Sequence, residues 1–224
     1  MNTPIAILAL GFILGIKHAF DADHIVAVST IVRHNRQPLH AALVGTFWGM
    51  GHTTTFLLIG LLVLILKINI PQSIGLFLEL LVGLMLVFLG IRTFLNRDQS
   101  HHKHIHRHGQ SEHLHAHEHF KKHQHQHRRS FFIGTVHGTA GSGALMILML
   151  STIRSTVEGI YYILLFGLGS IGAMTIMTLL LGLPFSLSKD KFPHINNIMN
   201  QATGAVSAVF GLIIIYEVTS LFLT

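Results

Sequence analysis

The 224-residue chain contains no cysteine. That excludes a disulfide framework and any thiolate metal site, so metal ligands would have to be imidazole, carboxylate, amide, hydroxyl or backbone groups. Charge is scarce too. Only 11% of residues are charged and nine are Asp or Glu, whereas a soluble domain normally carries about 25% charged residues. So few ionised groups cannot clothe a water-facing surface of this size. No Lys or Arg precedes Lys17, so the basic flank of a cleavable signal peptide is missing and the first apolar stretch is expected to be retained. The net charge of +6 does not indicate nucleic acid, because eight of the fifteen Lys and Arg are confined to the segment from Arg92 to Arg129. There is no ATP-binding motif and no His-Glu-x-x-His, and no glutamate stands beside the intramembrane histidines as a general base. The chain is therefore expected not to be an enzyme.

What is abundant is apolar residues, half of the chain, and histidine, nineteen in all. A membrane span needs roughly 20 mostly apolar residues. Six segments qualify, at about 4–32, 40–66, 72–95, 130–153, 157–183 and 198–222. The expected fold is an all-α membrane protein of six transmembrane helices in one domain. It divides into a first three-helix half (1–95), a histidine-rich loop (96–129) and a second three-helix half (130–224). Polar residues interrupt the first span at Lys17, His18, Asp21, Asp23 and His24, yet apolar residues resume at once and one long helix remains possible. With six spans, one side of the membrane collects twelve Lys and Arg and the other only Lys67 and Arg154. Cytoplasmic loops carry the basic excess. This places the histidine-rich loop inside the cell and both termini outside, in the cytoplasmic membrane.

The halves echo each other. Gly15 to His18 matches Gly134 to His137, Gly49 to His52 matches Gly167 to Ser170, and Gly83 with Gly90 matches Gly204 with Gly211. The offsets are 119, 118 and 121. Because each half has three spans, the second inserts upside down. Inverted repeats are typical of secondary transporters, whose substrate site lies near the midplane between the halves. The plainer account is that short Gly-x-Gly matches recur wherever membrane helices pack closely.

Twelve of the 27 residues from His101 to His127 are histidine. Imidazole binds nickel, cobalt, zinc and copper well and magnesium or calcium poorly. A second histidine cluster lies inside the spans. Ionisable groups there cost about 2.5–3.5 kcal/mol each on insertion scales, so they point to function. On a regular helix of about 100° per residue, His18, Asp21 and His24 share a face and Asp23 points away. Either Asp23 serves another partner, such as Lys17 or a neighbouring helix, or the helix is distorted there. His52, followed by Thr53, supplies a third imidazole from the second span; a hydrogen-bonded packing role is its alternative. His137 and Ser142 occupy echoing positions in the second half, which has no carboxylate opposite Asp23, so the site is expected to be built mainly from the first half. His137 is equally a structural, gating or liganding residue. Glu79 is a further candidate for the ion path.

The spacing of His18, Asp23 and His24 resembles the His-x-x-x-x-Asp-His signature of the nickel/cobalt transporter family. Gly51, His52, Thr53 and Thr54 resemble that family's Gly-His-Ser/Thr-Thr element. The stretch from His137 to Ser142 is similar to the His-Gly-x-Ala-Gly-Ser segment of its compact six-span, urease-accessory-type members. The resemblance implies a permease for Ni²⁺ or Co²⁺, with His18, Asp23, His24 and His52 as functional residues; Asp21 remains a candidate ligand from helix geometry. The metal would be cargo rather than cofactor, and a cytosolic nickel chaperone or urease-maturation proteins would be the partners. Larger members have eight spans, and histidine-rich loops also occur in exporters of the wider superfamily. Import is the expectation; export through the same site, or a non-transporting metal store or urease-assembly factor, are the rivals.

Overall fold

The computed structural model describes residues 3–33, 37–67, 71–95, 121–138 and 155–223. Among these residues every regular element is an α-helix. They are α1 (Thr3–Ala19), α2 (Ala22–Val32), α3 (Pro38–Leu66), α4 (Gln72–Leu95), α5 (Lys121–His137), α6 (Thr156–Lys191) and α7 (Pro193–Leu223). Four helices are long and apolar enough to cross a membrane: Pro38–Leu66, Gln72–Leu95, Thr156–Ser188 and Pro193–Phe222. Two shorter apolar helices, Leu8–Ala19 and Ala22–Val32, lie where a single first span was a possibility.

The helix breaks at Phe20 and Asp21, where the backbone closes two tight turns, Phe20 N–H to the Lys17 carbonyl and Asp21 N–H to that of His18, each 3.0 Å. Asp21 then turns extended, with φ −61° and ψ 149°, as the N-cap of α2. Aspartate favours this position, and both the His24 and Ile25 amides donate to its carbonyl at 3.1 Å. The regular-helix geometry that separated Asp23 from the histidines therefore does not apply.

Two loop expectations change. The helix expected to begin near residue 130 begins at Lys121, so the end of the histidine-rich segment is helical rather than loop. The polar break expected from Lys189 to Asn197 shrinks to Phe192, whose N–H bonds the Ser188 carbonyl at 2.8 Å. Pro193 opens α7 at once, since its fixed φ suits a helix start. The rest of the expected fourth span, beyond Gly138, lies outside the described residues, as does residue 142.

Helix α1 packs on α6, α5 on α3, α3 on α6, and α4 on α7; α2 is lodged against α4, α6 and α7. Glycine permits the closest of these approaches. A Cβ on Gly15 would strike the Phe166 carbonyl and one on Gly169 that of Phe12. Likewise one on Gly134 would strike the Trp48 carbonyl and one on Gly51 that of Phe131. Gly83 and Gly211 face each other on α4 and α7, as do Gly90 and Gly204. Hydroxyls join helices as well, Ser170 donating to the Gly15 carbonyl at 3.0 Å and Ser207 to that of Leu86 at 2.8 Å. Arg33, buried at the end of α2, donates to the Thr93 carbonyl in the last turn of α4 at 3.1 Å. A cation is favourable beside a helix C-terminus.

Large apolar side chains such as Leu58, Phe88, Leu168 and Val209 face outward, while His24, His52, His137, Ser170 and Ser207 are fully enclosed. Apolar outside and polar inside is the arrangement a bilayer demands, because polar groups within it must find partners in the protein.

Candidate metal centre

The break between α1 and α2 delivers His18, Asp21, Asp23 and His24 to one place. His52 arrives from the middle of α3 and His137 from the last residue of α5. All four imidazoles are buried, none more than 3% exposed. His24 lies at their middle, its ring centroid 4.6 Å from His18, 5.0 Å from His52 and 4.4 Å from His137. The indole of Trp48 covers the group, 5.3 Å from His24 and 5.6 Å from His137.

The carboxylates hold the rings. His18 Nδ1 donates to Asp21 Oδ2 at 2.7 Å. His24 Nδ1 donates to Asp23 Oδ1 at 3.1 Å, and His137 Nε2 to Asp23 Oδ2 at 2.9 Å. With its Nδ1 proton committed, neutral His18 turns a lone pair on Nε2 inward, and that atom lies 3.2 Å from His52 Nε2. Two imidazole nitrogens bound to one ion at about 2.0–2.1 Å stand about 3–3.4 Å apart for coordination angles between square and tetrahedral. His24 Nε2 is buried and has no hydrogen-bond partner; the same is true of His52 Nδ1 and His137 Nδ1. A buried polar atom without a partner is costly, and three imidazoles of this cluster each carry one. Two triads each bring three ligand atoms within 4.8 Å: His18, His24 and His52, and Asp23, His24 and His137.

The sequence-derived candidates thus divide. His18, Asp21, Asp23, His24 and His52 come together, and Asp23 finds His24 and His137 rather than Lys17. His137 joins them directly, so the cluster, built mainly from the first half, takes one imidazole from the second. The signal for it in the sequence is its echo of His18. Thr53 stands apart, with its hydroxyl on the Gly167 carbonyl at 3.4 Å, bracing α3 against α6. Glu79 is an exposed residue of α4 whose charged neighbour is Glu217 on α7, away from the histidines. Ser142 lies outside the described residues. Trp48, not anticipated from the sequence, forms part of the wall.

Helical spans around an enclosed histidine–carboxylate cluster define a multi-pass membrane protein with a centre suited to a transition metal. Residues 6–213 match the family model described as the cytochrome C biogenesis protein transmembrane region. The chain is 42% identical to the urease accessory protein UreH of Bacillus sp. (strain TB-90), over 95% of this chain and 92% of that protein. Shorter matches link it to the cobalt transport protein NhlF of Rhodococcus rhodochrous, 41% identical over 24% of this chain and 16% of the relative. The high-affinity nickel-transport protein NixA of Helicobacter pylori (strain ATCC 700392 / 26695) is 39% identical over the same shares. No solved structure matches the chain significantly. The chain belongs to this transmembrane family, and its relatives show it to be of the nickel/cobalt transporter type, resembling the urease accessory protein UreH.

Proposed function

We propose that the protein is a permease that carries Ni²⁺, with Co²⁺ as the alternative cargo, inward across the cytoplasmic membrane. The observation that carries this reading is the inward convergence of three buried imidazoles, His18, His24 and His52, two of them with nitrogens 3.2 Å apart. Asp21 and Asp23 orient His18 and His24 as carboxylates orient metal-bound histidines elsewhere, fixing the tautomer and raising ligand basicity. Imidazole and carboxylate without sulfur suit nickel, cobalt and zinc. The names of the relatives favour the first two. Without cysteine, thiol exchange is closed to these residues.

The proposed architecture is six spans in two inverted three-helix halves. Its support is reciprocity. Applying the offsets to Gly15 and Phe166 yields Gly134 and Trp48, and applying them to Gly51 and Phe131 yields Gly169 and Phe12; each pair is a close contact. Gly83 with Gly211 becomes Gly204 with Gly90, again a contact. Exchange of partners is what a twofold axis in the membrane plane produces, and broken helices near that axis are where transporters bind ions. The α1–α2 break supplies such a place. The histidine-rich loop, placed on the cytoplasmic side by the basic excess, would catch and buffer arriving metal.

Radioactive nickel flux into proteoliposomes of known orientation tests the reading. Saturable flux that His24→Ala abolishes is expected; uptake unaffected by that change refutes it. The likeness to UreH keeps one other reading in play, a membrane-bound factor that holds nickel for urease assembly. Nickel binding without flux would select it.

A further inference from the structure

The two triads share His24. Its ring sits between His18 and His52 on one hand and His137 on the other, closer to each than the 6.2 Å that separates His52 from His137. Nδ1 faces Asp23, while Nε2 is buried without a partner. A neutral imidazole offers one in-plane lone pair, on whichever nitrogen lacks the proton, and the two nitrogens lie on different edges of the ring.

We propose that the centre contains two positions for a transition-metal ion, occupied in turn: one formed by His18, His24 and His52, the other by Asp23, His24 and His137, with His24 handing the ion between them. The inference rests on the reading of this cluster as a nickel centre. Two dications sharing one neutral imidazole in a buried site would repel strongly, so occupancy alternates. The positions differ in charge. The first has neutral ligands, and the carboxylates Asp21 and Asp23 each stand one imidazole removed, behind His18 and His24. The second includes the Asp23 carboxylate itself, which offsets part of the ion's charge and makes it the more stable resting place. Entry into the second position displaces the protons that His24 Nδ1 and His137 Nε2 donate to Asp23; each ring is reprotonated on its other nitrogen, with water as the proton carrier, so that both imidazoles stay neutral and no net proton is consumed.

The step also brings the second half into the ion's ligand set. His18 and His137 occupy matching places at an offset of 119, so the ion exchanges His18 and His52 for Asp23 and one ligand of the second half, while His24 is kept. Beyond His137 the path has a direction. On α5, Gly134, Ser130 and His127 follow at three- and four-residue intervals on one face. His127, whose ring is 4.7 Å from that of Phe47, lies about 15 Å along the helix and belongs to the histidine-rich segment.

Trp48 is the chain's single tryptophan and stands within 5.6 Å of both His24 and His137. Nickel in either position will quench its fluorescence. The full chain in proteoliposomes is titrated with Ni²⁺ alone, and the saturable quenching that His24→Gln removes is the signal of the centre, separate from ions on the loop. His52→Gln and His137→Gln should each keep saturable quenching, with affinity within about tenfold of the native chain, while flux falls at least about tenfold. The double variant should lose the quenching as His24→Gln does. A single composite centre predicts that either change alone removes the signal, and that result overturns the two positions. Undiminished flux in His137→Gln overturns them as well. If His24→Gln leaves the quenching intact, the nickel-centre reading itself fails. A test without substitutions guards against misfolded variants. Crystals of the native chain soaked in Ni²⁺ should show two partly occupied anomalous peaks on different edges of the His24 ring, and one fully occupied peak would refute the proposal.

Discussion

Replacing each aspartate by asparagine separates two carboxylates that the sequence presents as near equals. Asp21 uses one oxygen, accepting from His18 Nδ1 at 2.7 Å, and its side chain is 45% exposed. Asparagine can turn its single amide oxygen to the same N–H and keep the bond. What is lost is the charge, in a place water already screens. A neutral hydrogen bond in place of a charge-assisted one costs about 1 kcal/mol, so Asp21→Asn should lower apparent nickel affinity by less than about tenfold. Asp23 uses both oxygens, one on His24 and one on His137, and is 26% exposed. Asparagine has one acceptor oxygen, and its NH₂ must then meet the N–H of one imidazole. A buried donor left facing a donor costs about 1–3 kcal/mol, added to the lost charge at a second ring. The total of about 2–4 kcal/mol corresponds to roughly 30- to 1000-fold. Initial rates of nickel uptake by full-length protein in proteoliposomes, measured against nickel concentration and normalised to inserted protein, read both effects. A defect in Asp21→Asn equal to or greater than that in Asp23→Asn would refute the assignment of two imidazoles to Asp23.

Three further outcomes are expected. Gly134→Ala should destabilise the detergent-solubilised protein by about 1–3 kcal/mol, the usual cost of overpacking, because the new methyl meets the Trp48 carbonyl; Gly75→Ala, with nothing within 4 Å, should not. Equal thermal shifts for the two would show that the α3–α5 contact is loose. Removing residues 101–120 should change nickel retention and half-saturation more than maximal flux, and complete loss of flux in inserted protein would place the segment in the pathway. Acidification from about pH 7.5 to about pH 5 should weaken the Trp48 quenching step, since protons compete with metal for imidazole; a pH-independent affinity would mean that imidazoles are not the principal ligands.

Much of this was legible in the residues. The scarcity of charge and the apolar runs required helices in a bilayer, because a lone apolar span can satisfy its backbone only as a helix. The cost of polar groups in lipid singled out His18, Asp21, Asp23, His24 and His52. The near-constant offsets pointed to helices that do pack reciprocally. What the sequence could not decide was where a helix stops being regular. Local propensity permitted a continuous first span, and on that assumption Asp23 pointed away from the histidines. The break at Phe20 and Asp21 redirects it, since an extended ψ at one residue reorients every side chain that follows. The meeting of His137 with Asp23, 114 positions apart, likewise depends on α5 lying against α3 through Gly51 and Gly134. Chemistry at each position is written in composition and spacing; which carboxylate faces which imidazole is set by backbone approach and one broken helix, and only the tertiary structure decides it.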